Sequence, residues 1–232
     1  MNNTLFRLEP DLNSVFSPNN SESILQWQLN TSYLPYNSTT EGLGILPADI
    51  TDEPPHYYLS PQLLNSFEIG DQRKEAWIDS TTFIGTTYHY PYKYKIGQHQ
   101  EKVKGTATEF YTVFRLSEQY LIRAEARAMQ NNLDGSVSDL NVIRYRSGLP
   151  NATAITKSDI LTAILHERQV ELFAEWGHRW LDLKRTGQVD SVMFLVTPEK
   201  NPGGAWQSYQ QLYPIPQSEI TKNPYLTQNE GY

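Results

Sequence analysis

The 232-residue sequence contains no cysteine. Disulfides and thiolate metal sites are therefore excluded for these residues. Basic residues are outnumbered: 19 Lys and Arg stand against 26 Asp and Glu, a formal charge of −7. A nucleic-acid binder would show a basic stripe, and none appears. No apolar run is long enough to span a bilayer. The five histidines offer little for metal binding. His166-Glu167 begins like a zinc-protease helix, but that pattern needs a second histidine four residues on, and position 170 is Val. No phosphate-cradling glycine loop or nucleophile elbow appears. The sequence is thus read as having no metal site, no cofactor and no catalytic residue.

Sustained helical period occurs only between Arg115 and Gly187. Leu116, Tyr120, Ala124 and Ala128 recur every four residues and predict one face of a helix. Asn131, Asn132, Asp134 and Gly135 break it. Val137, Leu140 and Ile143 line a second helix that should stop at Gly148, with Pro150 beyond. The hairpin from Arg115 to Gly148 has the 34-residue length of a tetratricopeptide repeat. One such unit cannot bury its apolar face alone, so it should pack on the next helix, read over 158–176 with Ser158 or Asp159 as cap. Its other side should want further repeats. Ile160, Leu161, Ile164, Leu165, Val170, Leu172 and Phe173 nearly encircle that third helix, so it should be buried. It also carries Glu167, Arg168, Glu171 and Glu175, with Arg179, Asp182 and Arg185 following. Buried charges must be paired, and these seven are expected to form a network, Glu175 with Arg179 at i,i+4 spacing. A glycosidase acid pair is the less favoured reading of the same carboxylates.

The remainder is rich in Gly, Pro, Asn, Ser and Thr, which predicts long irregular loops. Residues 1–22 read as helical or turn-rich, and Ile24 to Leu29 as a short strand with Trp27 as a core anchor. Residues 30–58 show no period. Ser60 should cap a short helix ended by Gly70 and Asp71. Residues 74–114 read as extended, with Tyr88, Tyr90, Tyr92 and Tyr94 alternating on one side of a strand. Lys93, Lys95, Lys102 and Lys104 read as a solvated basic face. After Gly187, Pro216 should open a short helix ending before Pro224.

The segments RLSEQYLIRAEA, DLNVIRYRSGL and ERQVELFAEWGHRWLDLKRTG resemble the C-terminal half of the SusD/RagB family. Gly70-Asp71-Gln72-Arg73 resembles that family's G-D-x-R element, and LYPIPQSEITKNPYLTQNEGY its closing segment. Ser23 to Gln28 resembles a short strand the family places upstream. The resemblance implies a mainly α, SusD-like fold: a tetratricopeptide-like hairpin, further helices, long irregular loops and a few short strands. It divides the chain into a loop-rich aromatic part over 1–114, a helical core over 115–187 and a closing segment over 188–232. It also implies a non-catalytic, lipid-anchored outer-membrane protein of Bacteroidetes. Such a protein captures a glycan or oligosaccharide, or in some members a peptide, and hands it to a SusC-like TonB-dependent transporter. The sequence lacks the secretory signal and lipid-modified cysteine of such proteins, and so reads as the C-terminal portion of a longer one. A protein-binding tetratricopeptide adaptor is the alternative, although one repeat falls short of the three or so that stable arrays need.

Ligand contacts are expected on the loops ahead of the helices, at Tyr33, Tyr36, His56, Tyr57, Tyr58 and Trp77. A sugar ring has a C–H face that a flat aromatic covers and a hydroxyl edge that His or backbone groups bond. For Trp77, beside the G-D-x-R element, a structural role is the stronger expectation.

Overall fold

The computed structural model describes residues 5–28, 38–47, 54–97 and 107–232. The described residues are mainly helical, with two small two-stranded sheets among them. The chain divides into two compact units, residues 1–176 and 177–232.

In the first unit, α4 (Leu116–Met129) and α5 (Leu133–Arg146) form the expected hairpin. Their turn follows from its asparagines. Asn131 sits at φ 61°, a left-handed value that asparagine tolerates. Asn132 caps α5, its Oδ1 accepting from the Gly135 N–H at 3.1 Å. Ala124 and Ala128 let α5 come close enough for the Ser136 hydroxyl to donate to the Ala124 carbonyl at 2.7 Å. At the far end Gly148 takes φ 79°, with Leu149 N donating to Arg144 O and Gly148 N to Tyr145 O. That pair of bonds is the glycine-terminated helix stop. The hairpin packs on α6 (Lys157–Glu171), and Leu121, Ala124, Ala128, Leu140, Ile143, Ile160 and Ile164 are all buried together. The repeat-like unit thus covers its inner face with its own chain.

Two boundaries of α6 differ from the sequence reading. Thr156, not Ser158 or Asp159, is the cap, accepting from Asp159 N at 3.2 Å and donating to Asp159 Oδ2 at 2.7 Å. The helix also stops at Glu171 rather than near 176. Ala174 and Trp176 both take left-handed φ values, 56° and 43°, which no continuing helix permits.

A second core gathers Leu12, Val15, Phe16, Leu59, Phe67, Trp77, Tyr94, Val170 and Phe173. Residues 1–22 contribute a 3-10 turn at Leu12–Ser14, capped by Asp11. Within 30–58, read as aperiodic, α1 (Thr40–Ile45) forms with Thr39 as cap. Gly42 allows its close approach, since a Cβ there would lie 2.3 Å from the Ile96 carbonyl oxygen. Ser60 caps α2 (Pro61–Leu64), as read. Asp71 starts a helix instead of ending one: it caps α3 (Gln72–Trp77), accepting from Arg73 N at 3.0 Å.

The extended reading of 74–114 becomes a hairpin. β2 (Ile78–Phe83) and β3 (Thr86–Pro91) are antiparallel, with Asp79 opposite Tyr90, Ser80 opposite His89 and Thr81 opposite Tyr88. Their two-residue turn places Ile84 and Gly85 at φ 45° and 76°, the twist hairpins favour. β3 ends at Pro91, so only Tyr88 and Tyr90 of the four alternating tyrosines share a strand face. Tyr94 instead enters the core, its hydroxyl accepting from Thr112 N at 3.0 Å. β1 (Ser23–Trp27) pairs with β4 (Tyr111–Arg115). Trp27 is no core anchor: it is 54% exposed and meets Trp176 edge to face at 5.8 Å. Among the described residues its sheet has two strands, with no third strand beside them.

The second unit comprises α7 (His178–Arg185), α8 (Val189–Lys200) and α9 (Gln217–Lys222), with Leu183, Val189 and Trp206 buried together. Trp206 donates its indole N–H to Asp190 at 2.7 Å. Pro216 caps α9. The tail folds back on residues 212–215: Gln228 exchanges two hydrogen bonds with the Ile215 backbone, and Tyr232 donates to the Leu212 carbonyl. Among the described residues, no helix is long and apolar enough to cross a membrane.

Candidate functional site

The candidate ligand residues separate into three groups. Tyr33 and Tyr36 lie outside the described residues. His56, Tyr57 and Tyr58 are exposed on the segment that leads into α2, Tyr57 at 63% and Tyr58 at 59%. Trp77 has no exposed surface, and its indole N–H donates to the Leu12 carbonyl at 2.9 Å. A ring enclosed by Phe16 and Phe173, with its one donor satisfied, belongs to the core and not to a ligand surface.

The exposed segment is held at the edge of the β2–β3 hairpin. Leu59 N donates to the His89 carbonyl at 2.7 Å, and the Leu59 side chain anchors in the core. Tyr58 packs edge to face on Tyr88 at 5.2 Å. The tyrosines are therefore mounted on a strand edge and project outward. On the hairpin's other face, Ile78, Ser80 and His89 line a groove of about 320 Å³ with Leu64 of α2, Lys74 of α3 and Asp79. Sequence reading passed over this groove, because its residues come from four elements and share no spacing.

Behind these surfaces lies a buried lattice of charge. Glu167 accepts from Arg73 at 2.6 Å and from Arg144 at 3.4 Å. Glu171 accepts from Arg73 at 2.9 Å, Arg115 at 2.5 Å and Arg146. Glu175 accepts from Arg115 and Lys93, and Glu22 from Arg115 and Arg146. Asp71 holds Arg73 with two parallel bonds of 2.9 and 2.8 Å, which gives the G-D-x-R element its physical sense. Burial pushes the Glu171 carboxyl up, but Arg146, Arg115 and Arg73 outweigh it and hold it well below the ordinary carboxylate value. These carboxylates are spent on structural pairing, not arranged about an open cleft.

The expected network thus forms with other partners. Glu167, Arg168, Glu171 and Glu175 are buried. Their arginines come mainly from Arg73, Arg115, Arg144 and Arg146, distant in sequence. The expected Glu175–Arg179 helical pair fails because α6 has already ended, and Glu175 turns to Arg115 and Lys93. Asp182 and Arg185 pair with each other within α7, at 2.8 Å. Lys93 also departs from the solvated face expected of it. Its ammonium lies 4.2 Å from the Phe173 ring centre and 4.6 Å from that of Trp77, and bonds Glu175. Burial pushes it down to about 8 against the pull of Glu175.

Comparison with known proteins places this architecture. Residues 72–232 match the SusD family. The chain belongs to the SusD family. It is 35% identical over 125 residues to the starch-binding protein SusD of Bacteroides thetaiotaomicron, covering 52% of this chain and 21% of that protein. A SusD superfamily structure from Bacteroides vulgatus superposes on all of this chain with a TM-score of 0.74 at 22% identity. The surface glycan-binding protein A of B. thetaiotaomicron in complex with laminarihexaose matches 98% of it, with a TM-score of 0.73 at 23% identity. The chain spans 56% of each of those two solved chains. The SusD-family match takes in Arg73, Lys93, Arg115, Arg144, Arg146, Glu167, Glu171 and Glu175, so the charge lattice lies almost wholly within it. Glu22, Asp71 and the exposed His56, Tyr57 and Tyr58 lie before it.

Among the described residues, no group of three or more His, Cys, Asp or Glu side chains is placed to hold a metal ion.

Proposed function

We propose that this chain is part of a non-catalytic, lipid-anchored protein of the outer-membrane surface that captures a glycan. It would pass the glycan to a SusC-like TonB-dependent transporter. The observation that carries this reading is the mounting of Tyr57 and Tyr58. Two large aromatics stand more than half exposed on a strand edge whose base is fixed by Leu59 and Tyr88. Rigid, outward aromatics offer a sugar's C–H face a platform at little ordering cost. Similarity to the starch-binding protein SusD and to the laminarihexaose-bound glycan-binding protein supports the ligand class. Tyr33, Tyr36 and His56 complete the proposed contact set. Trp77, enclosed in the core, is left out of it.

Titration of the chain against a panel of soluble oligosaccharides tests the capture step. Binding that Tyr57→Ala and Tyr58→Ala weaken, without lowering the melting temperature, supports it. Co-purification of the full-length protein with a TonB-dependent barrel from outer membranes tests the transfer step, and a protein that purifies without any barrel contradicts it.

A further inference from the structure

We propose that the groove between α2, α3 and the β2–β3 hairpin is a second, separate subsite that takes an acidic sugar unit, a hexuronate. The inference rests on the glycan-capture reading and extends it to a charged class of ligand.

The strand register makes the groove. Ile78, Ser80 and His89 share one face of the hairpin, while Tyr88 and Tyr90 share the other. Of the four strand residues in its lining only Asp79 shares the tyrosines' face, so Ile78, Ser80 and His89 line it from the side away from the Tyr58–Tyr88 pair, and a ligand held by them need not touch those rings. Its volume, about 320 Å³, lies at the lower end of the range for small-ligand sites, enough for one or two sugar rings. Leu64 and Ile78 supply an apolar wall for a ring's C–H face. Lys74, Ser80 and His89 supply the polar edge.

The polar edge is unoccupied by the protein itself. Among the described residues, the side chains of Lys74, Ser80 and His89 have no hydrogen-bond or ion-pair partner. The one carboxylate in the lining is already engaged: Asp79 Oδ1 accepts from Ser80 N at 2.7 Å, and Oδ2 accepts from the Tyr90 hydroxyl at 3.2 Å. Lys74 is left as the uncommitted charge. An ammonium beside a hydroxyl and an imidazole, over two apolar side chains, matches a hydroxylated ring that carries a carboxylate. A neutral hexose would leave the ammonium without its strongest partner.

The test uses the whole chain, with sodium D-glucuronate and D-glucose as matched probes, followed through the backbone NMR resonances of residues 74–89. The proposal expects glucuronate to shift Lys74, Ser80 and His89 and to bind about tenfold more tightly than glucose, the worth of one modest ion pair. Lys74→Gln should remove that preference while leaving the melting temperature unchanged. His89→Gln should weaken both sugars. Equal binding of the two sugars, or a glucuronate preference that survives Lys74→Gln, overturns the proposal. So does an identical shift pattern with sodium chloride alone. Failure of the glycan-capture reading would show elsewhere, as neutral oligosaccharides whose binding ignores Tyr57 and Tyr58.

Discussion

Arg115 grips Glu175 with a two-pronged fork, Nε to Oε2 at 2.8 Å and Nη2 to Oε1 at 2.9 Å, across 60 residues of sequence. The same guanidinium also reaches Glu22 and Glu171, so it ties the residue before β1 and the end of α6 to β4. Removing one partner of a buried pair leaves the others desolvated and unpaired. Arg115→Ala is therefore predicted to destabilise the chain by about 3–5 kcal/mol in urea unfolding. Arg179→Ala leaves both of Glu175's partners in place and should cost far less. Equal losses for the two variants would contradict the partner assignment.

Glu109 gives a pH signature. Burial pushes its carboxyl up to about 7, against the Lys95 and Ile96 N–H groups that bond it. A carboxyl raised on folding favours the folded state while protonated in it. Its contribution is complete below the unfolded value near 4.5 and is lost as pH rises through about 7. The span corresponds to roughly 3 kcal/mol. Thermal melts should show stability declining between pH 5 and pH 8, and Glu109→Gln should flatten that decline. A wild-type decline that the variant reproduces would rule Glu109 out as its source.

Gly148 should resist substitution. Its φ of 79° is left-handed, and an added Cβ would lie 2.9 Å from the Gln72 side chain. Gly148→Ala is predicted to cost about 1–2 kcal/mol, from the left-handed backbone alone. Gly44 has open space at its Cβ position and an ordinary φ, so Gly44→Ala should be neutral or mildly stabilising. The two melts, measured side by side, should separate clearly.

The helical part of this fold was legible because its signals are local. Alanines at a four-residue period, the asparagine turn and the glycine stop each act within one turn of chain, and α4 and α5 formed where they pointed. Trp77 and Lys93 show where local reading stops. Both come from a stretch whose composition suggested exposure or extension. What fixes them lies far off in sequence: Leu12 for the indole, Glu175 and Phe173 for the ammonium. The charge lattice was half legible. A buried helix carrying glutamates announces that partners must exist, but not that Arg73 and Arg115 supply them. Trp27 failed for a related reason, since nothing in Ser23–Trp27 says how many strands its sheet has. The candidate site was legible only as a tyrosine-rich loop. Its groove was not, because Ser80 and His89 meet through strand register and Lys74 joins them from α3.

Trp77→Ala and the tyrosine variants should part company. Emptying a fully buried indole site is predicted to cost about 3–5 kcal/mol. Glycan affinity measured on the remaining folded fraction should change little. A Trp77 variant that melts normally but loses glycan would return that residue to the ligand surface.

The central claim, that exposed tyrosines on the hairpin edge capture a glycan, is tested most directly by isothermal titration of the wild-type, Tyr57→Ala and Tyr58→Ala chains with one oligosaccharide that the wild type binds, each paired with a thermal melt. The account predicts that each substitution weakens binding by about 1–3 kcal/mol, the range typical of a lost stacking contact on an aromatic ring, with melting temperatures within a degree or two of wild type. Unchanged affinity in both variants, or losses that track a falling melting temperature, would contradict it.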